Sequence, residues 1–230
     1  MEIVQADTNV MNIVENNEEM SSYIEWRPWA NTLLYYSFNN QNLNDWSWKW
    51  NNWTRYNWTW TFVDWIKWKC VRIAWTRWIR IPITFPTWDF TYSICAYVTN
   101  LSSPQIQSFL WTIEWWTNIW VFHFHRTTWN QIVLATSRDW TNRPTTWYME
   151  ANKRINIILT RSWNVRKIYK NWTQIFNQTI AYSMSWWTWT VGCEYTDWRA
   201  INWNIDEVIL ENRAWTDAEI LKYVQKLWLA

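Results

Sequence analysis

Glycine is nearly missing from this chain: Gly192 is the single glycine among 230 residues. Average usage would supply about 7%, on the order of sixteen. A scarcity of glycine does not forbid turns, but it forces them onto residues that tolerate positive φ less easily. A dominant charge is also lacking. With 21 basic and 19 acidic residues the net charge is +2, so there is no electrostatic footprint for nucleic acid or an anionic membrane surface. No apolar run reaches the ~18 residues of a membrane-spanning helix, which excludes membrane insertion by that route. The first residues, Met1-Glu-Ile-Val-Gln-Ala-Asp7, offer neither a basic n-region nor a long apolar h-region, so no signal peptide is visible. The three cysteines, Cys70, Cys95 and Cys193, are odd in number and lack metal-ligand spacing. Each lies in or beside an apolar segment and is expected to be a buried free thiol.

What the chain has in excess is tryptophan, 29 residues of it. Many stand where turns need glycine: Asp45-Trp46, Asn52-Trp53, Asn57-Trp58, Asp64-Trp65, Asp139-Trp140, Asn171-Trp172, Asp197-Trp198 and Asn202-Trp203. With glycine for tryptophan these become Asn-Gly and Asp-Gly, the strongest short-range hairpin signals. Trp115-Trp116 and Trp186-Trp187 would likewise be Gly-Gly turns. Two readings compete. In one the protein is Trp-rich, a sugar binder with many stacking faces. In the other most tryptophans stand where glycine is meant, through a codon read as tryptophan in translation and as glycine in the source organism. Energetics favour the second. An L-residue in the left-handed region costs ~1–2 kcal/mol, and about ten such turns would consume the ~5–15 kcal/mol that holds a domain together.

The chain is long enough for one large β domain or two small ones, and without an internal linker after residue 30 it reads as one. Residues 1–30 form an acidic leader or attachment segment without strong helical or strand period. Short strands follow: Leu33–Phe38, Thr61–Asp64, Lys69–Ala74, Ile79–Ile83, Phe90–Thr99, Gln107–Ile113, Ile119–Arg126, Asn130–Thr136, Trp147–Glu150, Arg154–Arg161, Val165–Lys170, Thr173–Gln178 and Ile205–Glu211. Between the first two, residues 39–60 read as a long polar loop. Regular strand spacing between turn signals predicts an all-β sandwich over residues 31–230. The clearest hairpin turns at Asn171-Trp172, which places Lys170 opposite Thr173 and Ile168 opposite Ile175.

Near the C-terminus the apolar strand runs into a capped helix. Thr216 and Glu219 have capping-box spacing, and Trp215 and Ile220 occupy the two positions of a hydrophobic staple. Ile220, Val224 and Leu227 then fall on one helical face. Trp215 is therefore expected to be a genuine tryptophan, because a large apolar side chain has a task there and glycine has none.

Motifs for chemistry are sparse. No Gly-x-Ser-x-Gly, Walker or Rossmann pattern appears, even with every Trp read as Gly. His123 and His125 share one strand face, a spacing that suits two metal ligands, but no third His or Cys accompanies them; they read as polar residues on a solvated face. The Asn-x-Thr sites at Asn52 and Asn57 are turn chemistry first. Asp206 and Glu207 sit within an apolar strand, where a carboxylate is costly unless bonded. Strict alternation sends the two to opposite faces, so they do not form an acid–base pair. For Asp206 two readings stay open, a structural bond to loop N–H groups or a calcium ligand.

Several segments together resemble the laminin-G-like jelly-roll domains of the concanavalin A-like lectin/glucanase superfamily. They are Leu34-Tyr-Tyr-Ser-Phe38-Asn39 with Leu43-Asn-Asp45, Phe62-Val-Asp64 through Cys70, Asp89-Phe90-Thr91 and Ile168-Tyr169-Lys170-Asn171. The most specific is Ile205-Asp206-Glu207-Val208 followed by Arg213-Ala214-Trp215-Thr216 and Glu219-Ile220. The resemblance implies a two-sheet antiparallel jelly-roll sandwich with a short C-terminal helix. It further implies a non-catalytic binding or adhesion module for a carbohydrate or surface glycoprotein, often with a structural calcium. The calcium ligands map to Asn39 and Asp206, and Asn39 departs from the acidic residue usual at its position. The expected setting is an extracellular surface or a virion, as in a phage structural protein, with residues 1–30 available for homo-oligomer or larger assembly contacts. The alternatives are a glycoside hydrolase of the same superfamily, which needs two carboxylates about 5–10 Å apart in a groove, and a purely structural assembly protein.

Overall fold

The structure is a computed structural model. It describes residues 31–36, 47, 54–56, 61–65, 68–73, 78–81, 89–98, 107–112, 122–126, 131–135, 147–148, 150–179, 189–191 and 203–229, with side chains for most of 31–35, 89–97, 150–179 and 203–227. Among the described residues fifteen strands and one helix follow in order. They are β1 (Thr32–Tyr36), β2 (Thr54–Tyr56), β3 (Thr61–Trp65), β4 (Trp68–Ile73), β5 (Trp78–Ile81), β6 (Phe90–Val98), β7 (Gln107–Thr112), β8 (Phe122–Arg126), β9 (Gln131–Ala135), β10 (Trp147–Tyr148), β11 (Lys153–Ser162), β12 (Val165–Lys170), β13 (Thr173–Thr179), β14 (Trp189–Val191), β15 (Trp203–Glu211) and helix α1 (Asp217–Leu229).

Two antiparallel sheets result. The first runs β13-β12-β11-β6-β15-β4-β3, with β1 also paired to β15, and the second runs β10-β9-β8-β7-β14-β5-β2. The predicted two-sheet jelly-roll sandwich with one terminal helix is the fold observed. Two strands escaped the sequence reading. β2 lies inside the stretch expected to be a loop, and β14 is three residues long, too short to show a period.

The first sheet explains its own two faces. Ile155, Ile157 and Leu159 of β11 stand opposite Ala96, Ile94 and Tyr92 of β6, and all six are buried. On the other face Asn156, Ile158 and Thr160 oppose Cys95, Ser93 and Thr91. That face is buried as well, because α1 lies across it. A strand covered on both sides loses the polar alternation of a half-exposed one, as β11 does.

Helix α1 forms as its sequence dictates. The Glu219 N–H donates to Thr216 Oγ1 at 3.3 Å, and Glu219 Oε2 accepts from the Thr216 N–H at 2.8 Å. The capping box is thus closed in both directions. Trp215, Ile220, Tyr223, Val224 and Leu227 pack on Tyr35, Ile158, Tyr169 and Ile209 of the sheet. Each such side chain contributes roughly 1.5–3 kcal/mol on burial, so docking, not intrinsic propensity, stabilises a helix this short.

The hairpin between β12 and β13 turns at Asn171-Trp172 with Lys170 opposite Thr173 as predicted, but only Asn171, at φ 57°, is left-handed; Trp172 does not occupy the positive-φ position expected of it. Ile168, however, faces Phe176 instead of Ile175, because a bulge shifts the register between Ile168 and Tyr169. An inserted residue cannot be seen in a turn-based register count.

Candidate functional site

The chemistry-bearing residues of the first sheet gather at a second bulge, on β15. Asp206 stands opposite Cys95 and Ile209 opposite Ser93. Three steps on β15 therefore match two on β6, and the extra residue cancels the strand's alternation. Asp206 follows Cys95 onto the face under α1, and Glu207, two residues before Ile209, reaches the same face. The expectation that the two carboxylates point to opposite faces is corrected by this bulge. They still form no acid–base pair in a groove, since Asp206 is 2% and Glu207 6% exposed.

Glu207 occupies the left-handed region at φ 50°, a conformation that a bulge ordinarily gives to glycine. Its neighbours hold it there. The Glu207 N–H donates to Asp206 Oδ1 at 2.9 Å, and the Tyr35 hydroxyl donates to Glu207 Oε1 at 3.3 Å. Asp206 thus accepts the N–H of its own neighbour in β15, where the sequence led to a bond to loop N–H groups or a calcium ligand.

The bulge also sits at a fork. β6 takes one edge of β15, and the other edge is divided: β4 pairs with Trp203 to Ile205, while β1 pairs from Val208 onward. Asp206 and Glu207 lie in the gap between them. β1 ends at Tyr36 opposite Val208, so the chain leaves β1 beside this gap. Asn39, the other calcium ligand implied by the resemblance, lies three positions on and outside the described residues. The side chains of His123 and His125 on β8, and of Cys70 and Cys193, are outside them too.

Arg154, at the start of β11, completes the arrangement. Its Nε donates to Cys95 Sγ at 3.1 Å and its Nη1 to the Leu227 carbonyl at 2.7 Å, tying the sheet to the last turn of α1. Burial works against the guanidinium's charge, but Cys95, then Asp206 and Tyr223, hold its pKa above the ordinary arginine value. Burial pushes the Cys95 thiol up to about 11; Arg154 opposes this, while Asp206 and Glu207 add to it. Such a thiol is inert as a nucleophile. Cys95 is free and buried, as expected from sequence.

This donor set does not suit calcium, which takes six to eight oxygens. Asp206 already accepts a backbone N–H, a thiol stands opposite it, and a guanidinium lies one strand away. Among the described residues no group of three His, Cys, Asp or Glu could hold a metal ion. Sequence reasoning missed Arg154 because nothing local marks it; its role depends on a register that brings together residues 59 and 73 positions apart. Among the described residues no helix is long and apolar enough to cross a membrane.

No protein family profile and no curated protein matches the sequence. Solved structures do match in fold. Domain 4 of AbnA, a GH43 extracellular arabinanase from Geobacillus stearothermophilus, in complex with arabinotriose, aligns with TM-score 0.64 at 15% identity, covering 85% of this chain and 98% of that one. The binding domain of Paraclostridial Mosquitocidal Protein 1 aligns with TM-score 0.70 at 12% identity, over 88% of this chain and 53% of that one. Trypanosoma rangeli sialidase in complex with sialic acid aligns with TM-score 0.66 at 11% identity, over 87% of this chain and 33% of that one. The chain thus spans nearly all of the arabinanase domain, about half of the toxin binding domain and a third of the sialidase. At these identities the likeness establishes the β-sandwich fold, not the ligand.

Proposed function

We propose that this chain is a glycan-binding β-sandwich module of an extracellular or virion surface assembly, of the laminin-G-like kind. The single observation that carries the reading is the fold match over 98% of a domain solved with arabinotriose. A structure on botulinum neurotoxin type C, whose cell entry depends on two ganglioside molecules, matches with TM-score 0.62 at 12% identity and adds to it. The closing stretch folds into β15, the capping box and α1, which supports the laminin-G-like reading. The buried carboxylates Asp206, Glu207 and Glu211 of the first sheet are engaged in structural bonds and are not offered as the ligand site. A glycan array carrying arabino-oligosaccharides, sialosides and gangliosides tests the reading. Saturable binding to one class is expected; binding to none of them overturns it in favour of a protein ligand or a scaffold.

A second part of the proposal concerns the tryptophans. We infer that those at left-handed or exposed turn positions are glycine in the source organism. Trp163 supports this, since it sits at φ 53° and is 64% exposed at the β11–β12 turn. Glycan recognition is therefore not rested on stacking by Trp163 or Trp172. UGA codons at these positions are the expected finding, and UGG codons there would sink the inference.

A further inference from the structure

The resemblance brings a calcium to Asp206, yet the described geometry brings an arginine. We propose that the Arg154 guanidinium takes the place of a bound cation at the Asp206–Glu207 bulge, so that the closing strand and α1 are held together without calcium.

Three observations carry this. First, the bulge turns both carboxylates onto the face that α1 covers, and both are almost fully buried. Buried carboxylates require a compensating charge or several hydrogen bonds. Second, Arg154 lies on that same face. It is two residues from Asn156, which stands opposite Cys95, and Cys95 in turn stands opposite Asp206. The contact from Arg154 Nε to Cys95 Sγ at 3.1 Å fixes the guanidinium beside that row. Third, the same guanidinium caps the C-terminal end of α1 through the Leu227 carbonyl at 2.7 Å. A calcium ion offers the first of these services, charge, but not the last. Arginine has five N–H donors in a rigid fork and no proton to lose, so one side chain can serve sheet and helix together.

The arrangement couples two features that sequence leaves separate. The strained Glu207 backbone positions the carboxylates, and Arg154 transmits that placement to the last turn of α1. Loss of the guanidinium exposes the fault at the helix end first.

The test uses the full chain and does not depend on any glycan being bound. Thermal midpoints are measured in EDTA and in millimolar calcium for the wild type and for Asp206→Asn. A wild-type midpoint that does not move, or that moves equally in Asp206→Asn, is expected; a calcium-dependent rise lost in Asp206→Asn overturns the proposal. A double-mutant cycle of Arg154→Met with Asp206→Asn then reads the coupling directly. A departure from additivity of about tenfold or more in the folding equilibrium constant is expected, with hydrogen exchange accelerated first in residues 217–229. Additivity within about twofold overturns the proposal. If Arg154→Met does not fold, Arg154→Lys completes the cycle: it keeps the charge and loses the fork, so calcium insensitivity should persist while helix-end protection falls.

Discussion

Two pairs of tryptophans on the same sheet occupy opposite environments. Trp163 and Trp172 stand at the hairpin turns flanking β12, 64% and 55% exposed. Trp203 and Trp215 bracket β15 and are 0% and 3% exposed. Trp215 is held from several directions. Its Nε1 donates to Glu211 Oε2 at 2.7 Å, its backbone N–H donates to Thr91 Oγ1 at 2.8 Å, and its ring meets Tyr223 edge-on at 5.0 Å. Trp163 shows the reverse. There the sheet holds the backbone while the indole is exposed: Asp89 Oδ1 accepts its N–H at 2.6 Å and Arg161 Nε donates to its carbonyl at 2.9 Å. At one site the indole is buried and bonded; at the other it is exposed and the peptide is bonded. Composition alone treats both as tryptophan; environment separates them.

The comparison is broken most sharply at Trp215. Trp215→Ala should destabilise the domain by about 3–5 kcal/mol, the usual range for a large aromatic deleted from a core. It also strips a donor from Glu211, a fully buried carboxylate otherwise contacted by Arg213 at 3.1 Å and Thr32 at 3.3 Å. Urea unfolding reads the change, and a loss below about 1 kcal/mol would mean the junction does not depend on the indole. Trp203→Gly comes next. In the sequence the Asn202-Trp203 pair reads as a turn that wants glycine, yet Trp203 is a fully buried strand residue opposite Ile73. A loss of about 3 kcal/mol is expected from the cavity. A gain in stability would move Trp203 into the class of the exposed tips.

How much was legible follows from where information is local. The capping box, the staple and the apolar helix face need only residues within two turns of one another, and Thr216, Glu219, Trp215 and Ile220 behave as their spacing dictates. The strand series and sheet class were equally legible, because period and turn signals are local. The bulges on β13 and β15 were not. An extra residue at Ile175 or at Glu207–Val208 leaves no mark on composition, yet it reassigns the partner of Ile168 and the face of Glu207. Arg154 was invisible for the same reason: its partners Cys95 and Leu227 are distant in sequence. The candidate site was therefore half read, with Asp206 found and its counter-charge not.

Acid separates the two regions by a smaller margin. Asp217 is held below the ordinary carboxylate value of 3.8 by hydrogen bonds from Tyr169 and Lys167. For Glu219, burial raises the pKa, but the Thr216 N–H and Arg213 outweigh it and keep the group below 4.5. A pKa lowered on folding stabilises at pH above the unfolded value, and the gain is lost as pH falls through the folded one. The start of α1 should thus loosen as the pH drops below about 4, while the apolar pairing of β11 with β6 at Ile155, Ile157 and Leu159 should hold longer. Amide exchange across residues 216–224 and 155–159 checks this. Equal loosening would put the acid-sensitive contacts elsewhere.

The smallest effect, and the one that sharpens the comparison most, is Trp163→Gly. A two-residue hairpin with positive φ at its first central position suits glycine there. Trp163 at φ 53° carries the left-handed penalty, ~1–2 kcal/mol. Against that relief stands the entropy glycine loses on folding, ~0.5–1 kcal/mol. The exposed indole contributes little burial to offset either. The net is a gain of up to about 1 kcal/mol, opposite in sign to the loss at Trp215. The hydrogen bonds from Asp89 and Arg161 go to backbone atoms of residue 163, so both survive the substitution and the hairpin register is unchanged. A loss of more than about 1 kcal/mol would show that the exposed indole contributes to the fold, and would return Trp163 to the class of Trp215.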